Sequence, residues 1–303
     1  MPRDKTLGVL SLLGGVGLFS TVEIAGKIIG HRIDPGTLTF FRFAVTAVVL
    51  LAIAVPSQWT KVQAFRARDY GIFFLNGFVG IALGISLFHA AILTFAKAAS
   101  SAVVFSANPV FVLVLARFVN HEHWDLRKWV VVGFGALGVS CFAWESGAFT
   151  TASLLGLGLM LLSAFFFALS ICISRRVMPA YGPMLLMGFS AAAGSLLLVP
   201  WAGVSLARHG THGLRETWIA LLYVAVFGTA VAYALYYHGI MKTSANGGSM
   251  AFFLKPVLAS VLAAVILGEH INAPMILGTA LILAGVCVVV FPLRSPRPAL
   301  EKD

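Results

Sequence analysis

Ten apolar runs of about twenty residues each follow one another along the chain, at roughly 7–29, 36–55, 70–95, 98–118, 128–144, 153–174, 182–202, 217–239, 244–267 and 273–292. A helix of that length, rising ~1.5 Å per residue, crosses the ~30 Å hydrocarbon core of a bilayer. No water is available there to satisfy an open backbone, so such runs are restricted to helices that bond their own peptide groups. The intervening loops are short and turn-rich, as in "HRIDPG" and "GEHINAP", and leave no room for a soluble domain. Only 11% of the residues are charged and 59% are apolar, against ~25% charged in a soluble domain. The expectation is an all-α polytopic membrane protein with ten transmembrane helices.

Orientation follows from Lys and Arg. The face that holds the N-terminus collects 14 of them, the opposite face 5, and two, Arg42 and Lys255, lie within spans. The positive-inside rule therefore predicts cytoplasmic N- and C-termini. It also explains the net charge of +10 by cytoplasmic loops near anionic membrane lipid, not by nucleic acid. The first run exceeds a signal-peptide core and lacks a small-residue cleavage site, so it reads as a retained helix. All six tryptophans (Trp59, Trp124, Trp129, Trp144, Trp201 and Trp218) fall at span ends or in adjoining loops, the depth that tryptophan prefers. Cys141, Cys172 and Cys287 each lie in an apolar run, so they predict packing, with no disulfide framework, metal site or cofactor.

The two halves resemble each other. Pro109, Glu122 and Gly138 recur as Pro256, Glu269 and Gly285, each 147 residues later; Gly8 and Pro35 recur as Gly156 and Pro183, 148 later. The repeats divide the chain at 1–148 and 149–303. Five spans per repeat is an odd number, so the second repeat enters the membrane upside down. Two inverted five-helix repeats are the architecture of many secondary transporters, whose substrate site lies near the midplane between them.

The segments "SANPVFVLVLARFVNHEHW" and "YALYYHGIMKTSANGGSMAFFLKPVLASVLAAVILGEHI" resemble the two repeats of the drug/metabolite transporter superfamily, in its ten-helix form with paired EamA domains. The resemblance covers nearly the whole chain. Within that superfamily the chain is similar to bacterial amino acid exporters, those for aromatic amino acids in particular. It implies a carrier in the bacterial inner membrane that exports small, amino-acid-like molecules. The family pattern has a neutral or acidic residue before the second proline, and Lys255 departs from it.

The intramembrane polar residues are the candidate site. Pro109 and Pro256 each sit mid-span, where proline removes a helical hydrogen bond and leaves the carbonyls of Phe105 and Phe252 to find other partners. Twinned prolines suggest hinges or bent walls around a cavity. Asn108 and Lys255, which precede them, are equivalent across the repeat. A mid-membrane charge costs ~2.5–3.5 kcal/mol or more, so Lys255 requires a compensating group. Among the eleven acidic residues only Glu23 is well inside a span. Its depth matches that of Arg42, which predicts a Glu23–Arg42 pair. Lys255 would then meet a substrate carboxylate beside Asn108; a Lys255–Glu23 bridge and capping by open carbonyls are the alternatives. His89 and Tyr236 are also repeat-equivalent, with Tyr233 and Tyr237 nearby. Phe19, Phe165 and Phe166 are candidates for an apolar lining. Spans 5 and 10 carry small residues and no ionisable group within the span, which suits scaffold or homodimer contacts.

A carrier explains these features best. An intramembrane enzyme would need a paired Asp set, a Ser–His or Ser–Lys arrangement or HExxH in a span, and none is present. "HEHW" at 121–124 reads as a solvated turn. There is no Walker A sequence for direct ATP coupling, and the chain leaves proton antiport and facilitated diffusion both open.

Overall fold

The computed structural model describes residues 3–95, 97–121, 126–145, 151–243 and 251–290. The described residues form ten helical rods and one short helix, Trp59–Gln63, between the second and third. α1 is Arg3–Phe19 followed by Val22–Ile29, α2 is Pro35–Ser57, and α3 runs from Ala67 to Thr94. α4 is Ala98–Phe105 then Asn108–Val119, α5 is Leu126–Glu145 and α6 is Thr151–Tyr181. α7 is Pro183–His209, α8 runs from His212 to Lys242, α9 is Phe252–Leu254 then Lys255–Leu267, and α10 is Ala273–Val290. Seven of the described helices are long and apolar enough to cross a membrane, and Lys255–Leu267 and Ala273–Gly285 are shorter apolar ones. Glu122, Trp124 and the basic residues of the C-terminal tail lie outside the described residues.

The helices pair in a pattern that respects the duplication. α1 packs on α8 and α3 on α6, while α2 packs on α7, α4 on α9 and α5 on α10. Replacing every helix by its counterpart five places away maps this set onto itself. α5 and α10 pack together, and Gly135 and Gly138 on one and Gly278 and Gly285 on the other are buried. Their small residues thus serve close contact within the chain. Four described tryptophans, Trp59, Trp129, Trp201 and Trp218, are exposed on the outside of the bundle, as interfacial anchors are.

The helices are least regular where the halves meet. α1 breaks at Ser20–Thr21, with the Ser20 hydroxyl donating to Val16 O at 2.8 Å. α3 and α8 each contain a π-helical stretch, Phe78–Ile85 and Val226–Val231, beginning 148 residues apart. Both prolines open the second segment of their helix instead of kinking a continuous one. The expected orphan carbonyl of Phe252 is not one: a 3₁₀ turn brings the Lys255 N–H onto it. A tighter i→i+3 bond supplies the donor that proline removes.

Candidate functional site

Helix α2 presents Thr39, Arg42 and Thr46 at helical spacing on one buried face. That face meets the π-helical stretch of α8, where the altered ladder turns carbonyls toward side-chain donors. Thr229 Oγ1 donates to Val224 O at 2.7 Å, and Thr46 Oγ1 to Ala225 O at 2.9 Å. The Arg42 guanidinium donates from Nε to Thr229 Oγ1 at 2.5 Å and from Nη2 to Gly228 O at 3.4 Å. Its Nη1 donates to His89 Nε2 at 3.1 Å. Arginine has no acceptor, so Nε2 of His89 is the unprotonated nitrogen. Its Nδ1, 2.8 Å from Thr39 Oγ1, carries the proton, and the Thr39 hydroxyl donates onward to Pro35 O at 2.7 Å. Every partner of Arg42 in this network is neutral.

The expected Glu23–Arg42 pair does not form. The Glu23 carboxylate instead faces the Lys255 ammonium, with both side chains buried. Lys255 therefore has a protein carboxylate, through the bridge that the sequence left as an alternative. Geometry explains the exchange. The planar arginine fork finds several neutral acceptors side by side on α8 and on His89, whereas lysine, a point charge, needs one anion. The Lys255 ammonium and the Glu23 carboxylate are in direct contact as a buried charged pair. Lys255 also lies over three ring faces, with Nζ 4.5 Å from the Phe105 centroid, 5.2 Å from Phe88 and 5.9 Å from Phe252. Cation–π attraction of this kind is worth more in a desolvated setting.

Between these groups lies a cavity of ≈ 20 Å³, walled by Phe19, Phe88, Phe105, Phe167, Tyr233 and Phe252 together with Arg42 and Lys255. The rings interlock: Phe19 meets Tyr233 edge-on at 4.9 Å, and Tyr236 meets Phe252 at 5.0 Å. A space this size has room for about one water, so the structure is a closed state with its centre collapsed on aromatic side chains.

The other sequence candidates divide into wall and support. Tyr233 lines the cavity, and Tyr236 stands behind Phe252 with its hydroxyl unpartnered. His89 is a second layer behind Arg42. Asn108 does not face the cavity; its amide donates to Ala164 O on α6 at 2.9 Å and its Oδ1 has no partner. Pro109 and Pro256 are buried at the segment starts. Phe19 belongs to the lining, but Phe165 and Phe166 do not: Phe167 is the ring that points inward, and Phe165 packs against Phe111 at 5.9 Å. Sequence reasoning missed Thr229 and the rings of Phe88, Phe105 and Phe252. The Thr39–Arg42–Thr46 stripe was the available signal for a polar face on α2. The residues four before each proline, Phe105 and Phe252, were visible as repeat counterparts.

Two further features hold the ends of α4 and α9. Gly268 ends α9 in the left-handed region at φ 67°, a conformation that glycine adopts without strain. Glu269 then accepts the Ala98 N–H at 2.8 Å, placing a carboxylate on the N-terminus of α4, where the helix dipole favours it. The Gly-Glu pair of the second repeat is thus a clasp between counterpart helices.

A model of the EamA-like transporter family matches this chain twice, over residues 6–144 and 154–291. An uncharacterized transporter of Clostridium kluyveri is 29% identical over 92% of this chain and 91% of its own length. The uncharacterized transporter YetK of Bacillus subtilis is 24% identical over 98% and 92%. A solved crystal structure, 19% identical, superposes with a TM-score of 0.67 over 93% of this chain and 96% of the other, a likeness of fold. With two matched regions covering most of its length and the duplicated helix pairing to go with them, the chain belongs to the EamA-like transporter family, a membrane transporter and not an enzyme.

Proposed function

We propose that the protein exports small metabolites that carry a carboxylate on an apolar or aromatic body, amino acids and related compounds among them. It does so across a bacterial inner membrane by alternating access around the central cavity. One observation carries this reading: two buried cations, Arg42 and Lys255, share the wall of a cavity lined by six aromatic rings together with Val22 and Ile85. Cations attract a carboxylate, and ring faces suit an apolar body. The resemblance to the aromatic amino acid exporter YddG points the same way. The excess of Lys and Arg on the face of the N-terminus supports cytoplasmic termini. Transport requires the rings to part, since the closed cavity admits no metabolite; the breaks in α1, α4 and α9 and the π stretches of α3 and α8 are where the backbone would yield.

Uptake into proteoliposomes of the purified protein tests this. Saturable flux of labelled aromatic or branched amino acids, or of the corresponding acids, is the expected result. Flux confined to molecules without a carboxylate would overturn it. Repeating the assay with and without an imposed pH gradient separates proton antiport from facilitated diffusion.

A further inference from the structure

The charges at the centre do not sum to zero. Lys255 is matched by Glu23, but among the described residues every hydrogen-bond partner of Arg42 is neutral: Thr229, Gly228 O and His89. Glu23 is also the one acidic residue well inside a span anywhere in the sequence. The cavity wall and its immediate support therefore hold two cations and one anion, a surplus of one positive charge held by a buried arginine that does not deprotonate. Burying an uncompensated charge is costly, and an arriving anion recovers part of that cost.

We propose that Arg42 is the group that receives the substrate's carboxylate, and that the site selects net monoanions: carboxylic acids with an apolar body and no ammonium group. The inference rests on the carrier reading above and narrows its substrate class. A zwitterionic amino acid leaves the occupied site one charge positive, a monoanion brings it to neutral, and an amine raises it to two. Nor, among the described residues, does the cavity hold a vacant anion for an ammonium group. Glu23 is engaged by Lys255, and taking it away would leave that lysine with ring faces alone. His89 is the positioning residue. Its unprotonated Nε2 turns the guanidinium without neutralising it, so one Arg42 donor edge can exchange a weak neutral acceptor for a carboxylate oxygen, a stronger charge-assisted bond.

The test is ligand binding to the full-length protein in nanodiscs, followed by calorimetry and by thermal stabilisation, with 3-phenylpropionate, phenylalanine and phenethylamine as matched probes. The expected order is 3-phenylpropionate tightest, phenylalanine weaker and phenethylamine absent. Loss of a charge-assisted contact in Arg42→Gln should weaken the acid about tenfold or more. Arg42→Lys, which keeps the charge if the glutamine variant does not fold, should retain the order of the three probes. His89→Gln should retain that order with a smaller loss. Phenylalanine binding tightly where 3-phenylpropionate does not would overturn the charge assignment and leave the carrier reading standing. Equal affinity for the acid in Arg42→Gln would overturn the role of Arg42. Binding of none of the three, with no carboxylate flux in proteoliposomes, would remove both readings together.

Discussion

The π-helical stretches of α3 and α8 begin 148 residues apart and meet different chemistry. Around the α3 stretch every partner is neutral: Ser163 Oγ donates to Gly84 O at 2.7 Å, and Asn76 bonds Ser190 at 3.1 Å and Ser170 at 2.9 Å. Around the α8 stretch the donor is a guanidinium. The contrast runs through the equivalent positions, where Arg42 corresponds to Ser190, His89 to Tyr236 and Lys255 to Asn108. Duplication has kept the irregularities of the backbone in both halves, while the buried charges have no charged counterpart at the equivalent positions. Backbone irregularity is therefore shared between the repeats, whereas the cavity's cations sit at non-equivalent positions, Arg42 in the first repeat and Lys255 in the second. Backbone defects depend on helix packing, which both halves need; a second set of buried charges would add desolvation cost without a matching benefit.

The sharpest way to break this comparison is to remove Lys255 and its counterpart separately. Lys255→Met leaves the Glu23 carboxylate buried without its cation, and losing one partner of a buried pair costs about 3–5 kcal/mol. Asn108→Leu gives up only the bond to Ala164 O, a neutral bond worth about 1 kcal/mol. Thermal unfolding in one detergent should show a much larger fall for the lysine variant. Combining it with Glu23→Gln should recover most of the loss. Equal falls for Lys255→Met and Asn108→Leu would mean that the halves are energetically alike and that the ion pair is not a functioning unit.

A second pair of variants asks whether the two π stretches are packed with equal tightness. Gly80 and Gly228 are equivalent positions within them. A Cβ at Gly80 would lie 2.3 Å from Ser170 Oγ and 2.7 Å from its Cβ, whereas at Gly228 the nearest atom is Val22 Cγ2 at 3.1 Å. Gly80→Ala should therefore destabilise by about 1–3 kcal/mol, the usual range for overpacking. It also pushes on Ser170, which bonds Asn76. Gly228→Ala should cost less than about 1 kcal/mol, because a valine methyl yields more readily than a serine held in a hydrogen-bond network. Melting temperatures of the two variants, measured side by side, decide it; a larger fall for Gly228→Ala would reverse the assignment of the tighter contact.

Much of this architecture was legible in the sequence, and the part that was not has a definite cause. Apolar run length fixes the helices because a bilayer leaves no other way to satisfy the backbone, and the near-constant offset between Pro109 and Pro256 or Gly8 and Gly156 exposes the repeat. Lys255, Arg42, His89 and Tyr233 stood out because polar groups are rare at that depth. Pairing was not legible. Matching Glu23 to Arg42 by depth alone ignored azimuth, and it is the direction in which each side chain leaves its helix that gives Glu23 to Lys255. The aromatic lining was hidden for the same reason: Phe165, Phe166 and Phe167 are adjacent in sequence, point ~100° apart around a helix, and only Phe167 reaches the cavity.

The smallest effect concerns how the halves begin their second helices. α2 is capped by Asp34 and its counterpart α7 by Gly182, which has φ 81° and no side-chain cap. Asp34 Oδ1 accepts the N–H groups of Gly36 at 3.1 Å and Thr37 at 3.2 Å and the indole N–H of Trp201 at 2.6 Å, while Ser205 donates to Oδ2. Burial alone would raise the Asp34 pKa, but the hydrogen bonds from Ser205, Thr37 and Trp201 outweigh it and hold the carboxyl below the usual carboxylate value. A depressed folded-state pKa stabilises above the unfolded value of ~3.9 and loses that contribution as pH falls through the folded one. Replacing the aspartate cap in Asp34→Ala should cost about 1 kcal/mol at neutral pH. The difference from the parent protein should stay level down to about pH 5 and then shrink as Asp34 protonates. Gly182→Ala instead strains a backbone conformation that essentially only glycine adopts, φ 81° and ψ 161°, for about 1–3 kcal/mol that does not vary with pH. Melting curves of both variants from pH 7 to pH 3 therefore distinguish the two helix starts by slope. A pH-independent deficit in Asp34→Ala would show that α2, like α7, owes its start to backbone geometry and not to charge.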